Sequence, residues 1–225
     1  MSEPATIITS DAQDALRAEA QEAVRRMRAK IGKLDQASLD LILTDARSHY
    51  RWQDRKISEA EMHQLYEHTK MGATSMNSCP ARFVFVASQE GKDRIAKSLK
   101  PLNVPKMMGA PLTVIVAYDY EFWRELLKLF PHEDRRGHFS DKPAYAEETA
   151  FRNSTLQGGY MITAARAMGF DVGAMSGFSN EIIDQEFFSG TTLKSNFLIN
   201  IGYADETALF QRLPRFEFDD VCQIL

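Results

Sequence analysis

Met71-Gly-Ala-Thr-Ser-Met-Asn-Ser-Cys-Pro-Ala-Arg-Phe83 separates two patterns that belong to different kinds of secondary structure. Upstream of it, Met62, Leu65, Tyr66 and Thr69 recur at i, i+3, i+4 and i+7, which predicts a helix over 58–70. Downstream, Phe83-Val-Phe-Val-Ala87 is a short apolar run of β-forming residues and predicts a strand. The loop between them carries Thr74, Ser75, Asn77 and Ser78. A loop of small residues exposes backbone N–H groups and short polar side chains, so a planar or anionic ligand can come close. The same composition suits a plain helix-to-strand connection whose Ser and Asn hydrogen-bond their own backbone.

Working outward, the region 11–31 repeats Leu16, Ala20, Val24, Met27 and Ile31 at helical spacing, with Ser10 as N-cap and Gly32 as stop. It reads as a charged amphipathic helix that packs on the body or on a second subunit, preceded by a loose tail over 1–10. A second helix is predicted over 35–46 with Leu39, Ile42 and Leu43 inward. Next, Arg47-Ser-His-Tyr-Arg-Trp52 gathers cations and a hydroxyl, a set suited to phosphate because a guanidinium offers a fork of permanent donors. The plainer reading is a solvated helix end anchored by Trp52.

Residues 91–98 predict a short helix, and the uniformly apolar run 110–118 predicts a central strand buried on both faces. The region 119–147 is irregular, rich in aromatic and charged residues, and reads either as a lid or as a cover for the core edge. The longest helix is expected over 147–168, with Ala150, Phe151, Leu156, Ala164, Ala165 and Met168 apolar and Gly158 and Gly159 allowing close packing. Gly169-Phe-Asp-Val-Gly173 breaks it. A second small-residue loop, Ala174-Met-Ser-Gly-Phe-Ser179, leads to a short acidic helix over 180–187 and a second central strand over 195–203. Strands about eighty residues apart, flanked by helices, favour an α+β layered architecture over a βαβ repeat.

Composition excludes several function classes. With 225 residues, 44% apolar and 26% charged, the chain is an ordinary globular one, with no repeat or low-complexity block. A net charge of −4 gives no general attraction to nucleic acid or anionic membrane, and no apolar run approaches a membrane span. Two cysteines, Cys79 and Cys222, and the absence of a leader-like start are the pattern of a cytoplasmic chain without a disulfide framework. Five scattered histidines, His132 and His138 among them, form no metal set. There is neither a G-x-G-x-x-G after a strand nor a G-x-S-x-G elbow. Cys79 is either a reactive thiol or a small packed residue.

Taken in order, Arg47-Ser48, Ala73-Thr-Ser-Met-Asn77 before Pro80, Met175-Ser-Gly-Phe178 and Arg212-Leu-Pro214 resemble the FMN-binding pattern of the nitroreductase family, from about Asp45 to the C-terminus. Longer blocks are similar to the branch that contains malonic semialdehyde reductase of bacterial uracil catabolism. These are Ser78-Cys-Pro-Ala-Arg-Phe-Val-Phe85, Ala146-Glu-Glu-Thr-Ala-Phe-Arg-Asn-Ser154 and Thr192-Leu-Lys-Ser-Asn-Phe-Leu-Ile-Asn-Ile-Gly-Tyr203, together with Met175-Ser-Gly-Phe178.

The resemblance implies a three-layer α+β fold with a central, mostly antiparallel sheet flanked by helices, in an intertwined homodimer. A single FMN-binding domain would span 35–225, after a helical N-terminal extension over 1–34 with no counterpart in the family. Each FMN would sit at the subunit interface. Arg47, Ser48 and Arg212, helped by Arg215, would hold its phosphate end, while Thr74, Ser75 and Asn77 would meet the ribityl chain and pyrimidine edge. The backbone of Ser176 and Gly177 would face flavin N5. NADH or NADPH would donate hydride and a small aldehyde would accept it, giving 3-hydroxypropanoate from malonic semialdehyde. No side chain need be a nucleophile. Arg82, Lys106 and Arg152 are the candidate cations for a substrate carboxylate.

The chain departs from the family pattern at Ala46 and Tyr50, where flanking cations are common. It departs again at Cys79-Pro80-Ala81, where Gln-Pro-Trp is common, and at Ser176 in place of an acidic residue. Two rival functions stay open: a nitro or quinone reductase of broad range, and a flavin-binding or structural dimer without turnover.

Overall fold

The computed structural model describes Ile7 and residues 10–225. The loose tail expected over 1–10 therefore lies almost wholly outside the described residues, as does the side chain of Ser10 as a cap.

The helices are α1 (Ser10–Lys30), α2 (Gln36–Leu39), α3 (Glu59–Thr69), α4 (Gln89–Ala96), α5 (Val104–Met108), α6 (Leu126–Leu129), α7 (Arg136–Ser140), α8 (Pro143–Ala167), α9 (Asn180–Phe188) and α10 (Phe218–Val221). The strands are β1 (Ala81–Val86), β2 (Leu112–Asp119), β3 (Asp171–Met175) and β4 (Leu193–Gly202). They form one antiparallel sheet in the order β1-β2-β4-β3.

β2 is central and buried along nearly its whole length, as its apolar run predicts. Its pleat divides the core. Leu112, Val114 and Val116 pack with Ile199, Ile201, Val172 and Leu65, Met161 and Ala165 of α3 and α8. Ile115 and Ala117 face the other way, against Ile95, Met107, Ile183 and Phe188 of α4, α5 and α9. That is the expected three-layer arrangement. Each fully buried aliphatic side chain contributes about 1.5–3 kcal/mol, so the alternation along β2 fixes which helices cover which face.

Local chemistry sets the element ends. Ser58 and Glu61 form a capping box at the start of α3, and Ser88 and Ser179 cap α4 and α9. Pro143, at a position where no N–H is needed, starts α8 earlier than its apolar pattern shows. Gly169, at φ +81°, closes it: its N–H reaches the Arg166 carbonyl and that of Phe170 the Ala165 carbonyl. Gly158 lies so close beneath Phe197 that a Cβ would fall 2.4 Å from the ring.

Two expectations need correction. The helix over 35–46 is one α-turn, α2, followed by a π-helical turn over Asp40–Thr44, and Leu43 is exposed rather than inward. The stretch 169–175 does more than break a helix: Asp171–Met175 is an edge strand, so the second small-residue loop begins at Ser176. On α8, Phe151 and Leu156 face outward. In the irregular region, Phe122, Leu126 and Phe139 are fully buried with Ala146 and Ala150, so it is a cover for the core edge. His132 and His138 meet its aromatics edge-to-face, and no metal-binding group occurs among the described residues.

Candidate functional site

The expected site residues fall into two groups on opposite edges of the sheet. The first lies beside β3. Ser48 forms an isolated bridge to Val172, and the His49 N–H donates to the Val172 carbonyl at 3.0 Å, so the 47–52 segment runs along that strand. Trp52 anchors the segment, donating from Nε1 to the Lys106 carbonyl at 3.0 Å. Gly173 permits this close approach, since a Cβ there would fall 2.3 Å from the His49 carbonyl oxygen. Arg47 donates from Nη2 to the Phe210 carbonyl at 2.6 Å, which brings the C-terminal segment with exposed Arg212 to the same place.

Ser176 and Gly177 follow β3 directly. The Gly177 carbonyl accepts from Asn103 Nδ2 at 3.1 Å, and Asn103 Oδ1 accepts from Lys106 Nζ at 3.1 Å. Lys106 Nζ also stands 5.0 Å from the centre of the Tyr50 ring. Tyr50, where a cation is common in the pattern, thus holds one borrowed from α5. Through Tyr50, the 47–52 segment that carries Arg47 and Ser48 shares one patch at this edge with Lys106, Asn103 and Gly177. Arg215 turns back on its own chain, donating to the carbonyls of Leu213 and Pro214.

Beneath this patch His49 is buried, its Nε2 3.2 Å from Asp171 Oδ1 and its Nδ1 without a partner. Burial lowers its pKa from the ordinary value. The Arg47 and Arg166 charges push the same way, while the Asp171 carboxylate opposes them. Arg166 donates to the Ile42 carbonyl at 3.2 Å and tethers the π-helical turn over Asp40–Thr44 to α8.

The second group lies at the entrance to β1. Met76, Asn77 and Cys79 all have left-handed backbone, with φ of 53°, 50° and 40°. Such backbone costs each non-glycine residue roughly 1–2 kcal/mol, so the surroundings must hold it. Asn153 Oδ1 accepts from the Ser75 N–H at 2.8 Å, Gln157 Oε1 accepts from the Ala81 N–H at 2.9 Å, and Asn77 Nδ2 donates to the Leu129 carbonyl at 2.8 Å. Thr74 Oγ1 accepts from the Cys79 N–H at 3.2 Å. The loop borders a cleft of about 1070 Å³ lined by Asn77, Cys79, Arg82, Tyr66, Phe83 and Gln157.

The three candidate carboxylate-binding cations part company here. Arg82 donates to Asp119 Oδ2 at 3.0 Å and to the Cys79 and Ala81 carbonyls. Arg152 pairs with Glu148 on the exposed face of α8. Lys106 alone lies in the patch beside Gly177. Asn103, His49, Asn153 and Gln157 were not singled out from the sequence. For the last two a signal existed: Thr149, Asn153, Ser154 and Gln157 are polar at helical spacing on a buried face, which marks side chains recruited to fix a neighbouring loop.

The sequence profile described as the nitroreductase family matches residues 43–203. A protein of Stutzerimonas stutzeri, provisionally named NADH dehydrogenase/NAD(P)H nitroreductase, is 50% identical over 189 residues, 84% of this chain and 96% of the relative. One of Burkholderia lata with the same provisional name is 50% identical over 191 residues, 85% of this chain and 98% of the relative. Among solved structures, a provisionally named nitroreductase of Exiguobacterium sibiricum in complex with FMN superposes with a TM-score of 0.74 at 21% identity. It covers 86% of this chain and 99% of that one, a likeness of fold.

Proposed function

We propose, for a chain that belongs to the nitroreductase family, that residues 35–225 form an FMN-dependent NAD(P)H oxidoreductase acting as a homodimer, with malonic semialdehyde or a similar small aldehyde as hydride acceptor. The observation that carries this reading is the division of the site between β1 and β3. These are the outer strands of a four-stranded sheet, and three inter-strand spacings separate them by about 14 Å. Within one protomer the two groups stand on separate edges of the sheet, and in a homodimer they would share one FMN if the β3-side patch of one copy met the β1-side loop of the other. Exposed Phe151 and Leu156 on α8, and Phe210, Leu213, Phe216 and Ile224 in the C-terminal segment, are the apolar surface such an interface would cover.

The residues present fit FMN. Arg47, Ser48 and Arg212 offer the cations and hydroxyl a phosphate requires. Gly177, whose carbonyl is fixed by Asn103, leaves backbone rather than side chain toward the ring. From the partner, Thr74, Ser75 and Asn77 would meet the ribityl chain and pyrimidine edge on a backbone locked by Asn153 and Gln157. Bound there, FMN supplies two-electron hydride chemistry between the nicotinamide and the second substrate. Lys106 is the cation placed to receive an aldehyde's carboxylate. Ser176, uncharged where the family pattern is acidic, removes a repulsion for an anionic substrate.

The test is the visible spectrum of the purified protein, its bleaching by NADH or NADPH without oxygen, and reoxidation by malonic semialdehyde against a nitroaromatic and a quinone. Preference for the semialdehyde is expected. Preference for the nitroaromatic would replace the aldehyde assignment with a nitroreductase of the provisional names above. A colourless protein that takes up no FMN would remove the flavin reading altogether.

A further inference from the structure

The helix α1 stands outside the part of the chain that matches the family, which begins at residue 43. Its Leu16, Val24 and Met27, and Ile31 just past its end, are 44–61% exposed. With Ala20 and Ala23 these side chains fall within roughly a 100° arc at about 100° per residue, one continuous seam. A 21-residue helix with a bare seam is a surface awaiting a partner.

Its charge pattern says which partner. Asp11, Asp14, Glu19 and Glu22 lie in the first part, with Arg17 engaged by Asp14 at 2.8 Å. Arg25, Arg26, Arg28 and Lys30 lie in the second. A helix acidic at one end and basic at the other is complementary to a reversed copy of itself and repels a parallel one. The seam has the same symmetry. About a twofold between Ala23 and Val24, Leu16 lies opposite Ile31, Ala20 opposite Met27, and Ala23 opposite Val24, so in the central pairs a small residue meets a larger one. On one flank of the seam, Glu19 then faces Arg26 and Lys30 of the reversed copy.

We propose that α1 pairs antiparallel with α1 of a second copy of this chain, forming a helical clasp that the bare seam and the segregated charges specify together. The clasp rests on the paired body put forward above, which brings two tethered helices within reach and makes their contact effectively intramolecular.

Disulfide trapping in the full chain tests it, in a Cys222→Ser background with that background as control. Ala23→Cys, beside the twofold, is expected to form covalent dimer under mild oxidation about tenfold faster than Arg25→Cys on the opposite face, because disulfide geometry is restrictive. Leu16→Cys should link only when combined with Ile31→Cys. Linking by Leu16→Cys alone would show a parallel pair and overturn the proposal. Equal rates at positions 23 and 25, or none at 23 in a protein whose native mass is dimeric, would overturn it while leaving the paired body intact. A monomeric native mass with no linking would remove both. Charge reversal gives a second reading: Glu19→Lys should slow trapping at position 23, and adding Arg26→Glu and Lys30→Glu should restore it.

Discussion

Arg47 and Phe210 are joined by a 2.6 Å hydrogen bond from guanidinium Nη2 to backbone carbonyl, across 163 residues of sequence. One side chain thereby brings the start of the family-like region to the segment that carries Arg212. The remaining guanidinium donors are what a phosphate would take. Replacing Arg47 by Ala removes both the link and the charge. FMN binding should weaken by about 1.5–3 kcal/mol, roughly ten- to a hundredfold in Kd, read by flavin fluorescence on titration. An Arg47→Ala protein that retains FMN as tightly as the parent would show that the phosphate lies elsewhere.

Asn153 is buried in α8 and satisfied twice, accepting from the Ser75 N–H and donating to the Thr149 carbonyl at 2.9 Å. Asn153→Leu leaves the Ser75 amide without its acceptor and frees the left-handed loop that follows. A stability loss of about 1–3 kcal/mol is expected, together with faster FMN release measured by dilution. A loss of stability with unchanged release would separate the helix from the loop it is argued to hold.

Gly173 faces backbone, not a movable side chain: a Cβ there would meet the His49 carbonyl oxygen at 2.3 Å. Gly173→Ala must push the 47–52 segment off β3. Overpacking of this kind costs about 1–3 kcal/mol, and at about 2–4 °C per kcal/mol for a chain of this size the melting temperature should fall accordingly. By contrast Gly159→Ala, with nothing within 4 Å, should leave it unchanged or slightly raised.

His49 makes stability depend on pH. Burial, reinforced by Arg47 and Arg166 and opposed by Asp171, holds its pKa below the ordinary 6.5. The unfolded chain therefore binds the proton more readily than the folded one. The contribution is complete above pH 6.5 and is lost as pH falls from there through the folded value. Protonation also buries an N–H at Nδ1, which has no acceptor. Melting temperatures recorded between pH 5 and 8 should fall more steeply on the acid side in the parent than in His49→Gln. Parallel curves would show that another group governs the acid limb.

Much of the fold was legible along the chain because it follows from one-dimensional patterns. The apolar run of β2 names a strand buried on both faces, and the stripe through Leu65 and Thr69 names α3. β3 was not legible. At five residues with a central glycine it has weak strand character by itself, and it exists because β4 pairs along one side and the His49 backbone closes on the other. Leu43 carried the opposite lesson, since a π-helical turn rotates it out of a register that spacing alone places inward.

The sequence by itself determined the layered α+β architecture, the central strands and the residue types suited to a phosphate and a flat ring. Chain connectivity and hydrophobic periodicity are local properties, so they survive in a string of letters. Only the tertiary structure decided that Lys106, rather than Arg82 or Arg152, stands beside Gly177, and that the loop at Asn77 and the patch at Arg47 lie on opposite edges of one sheet. Those relations depend on strand order and on which carbonyl claims each cation first. Both are settled when the helices and the sheet pack, and spacing along the chain carries neither.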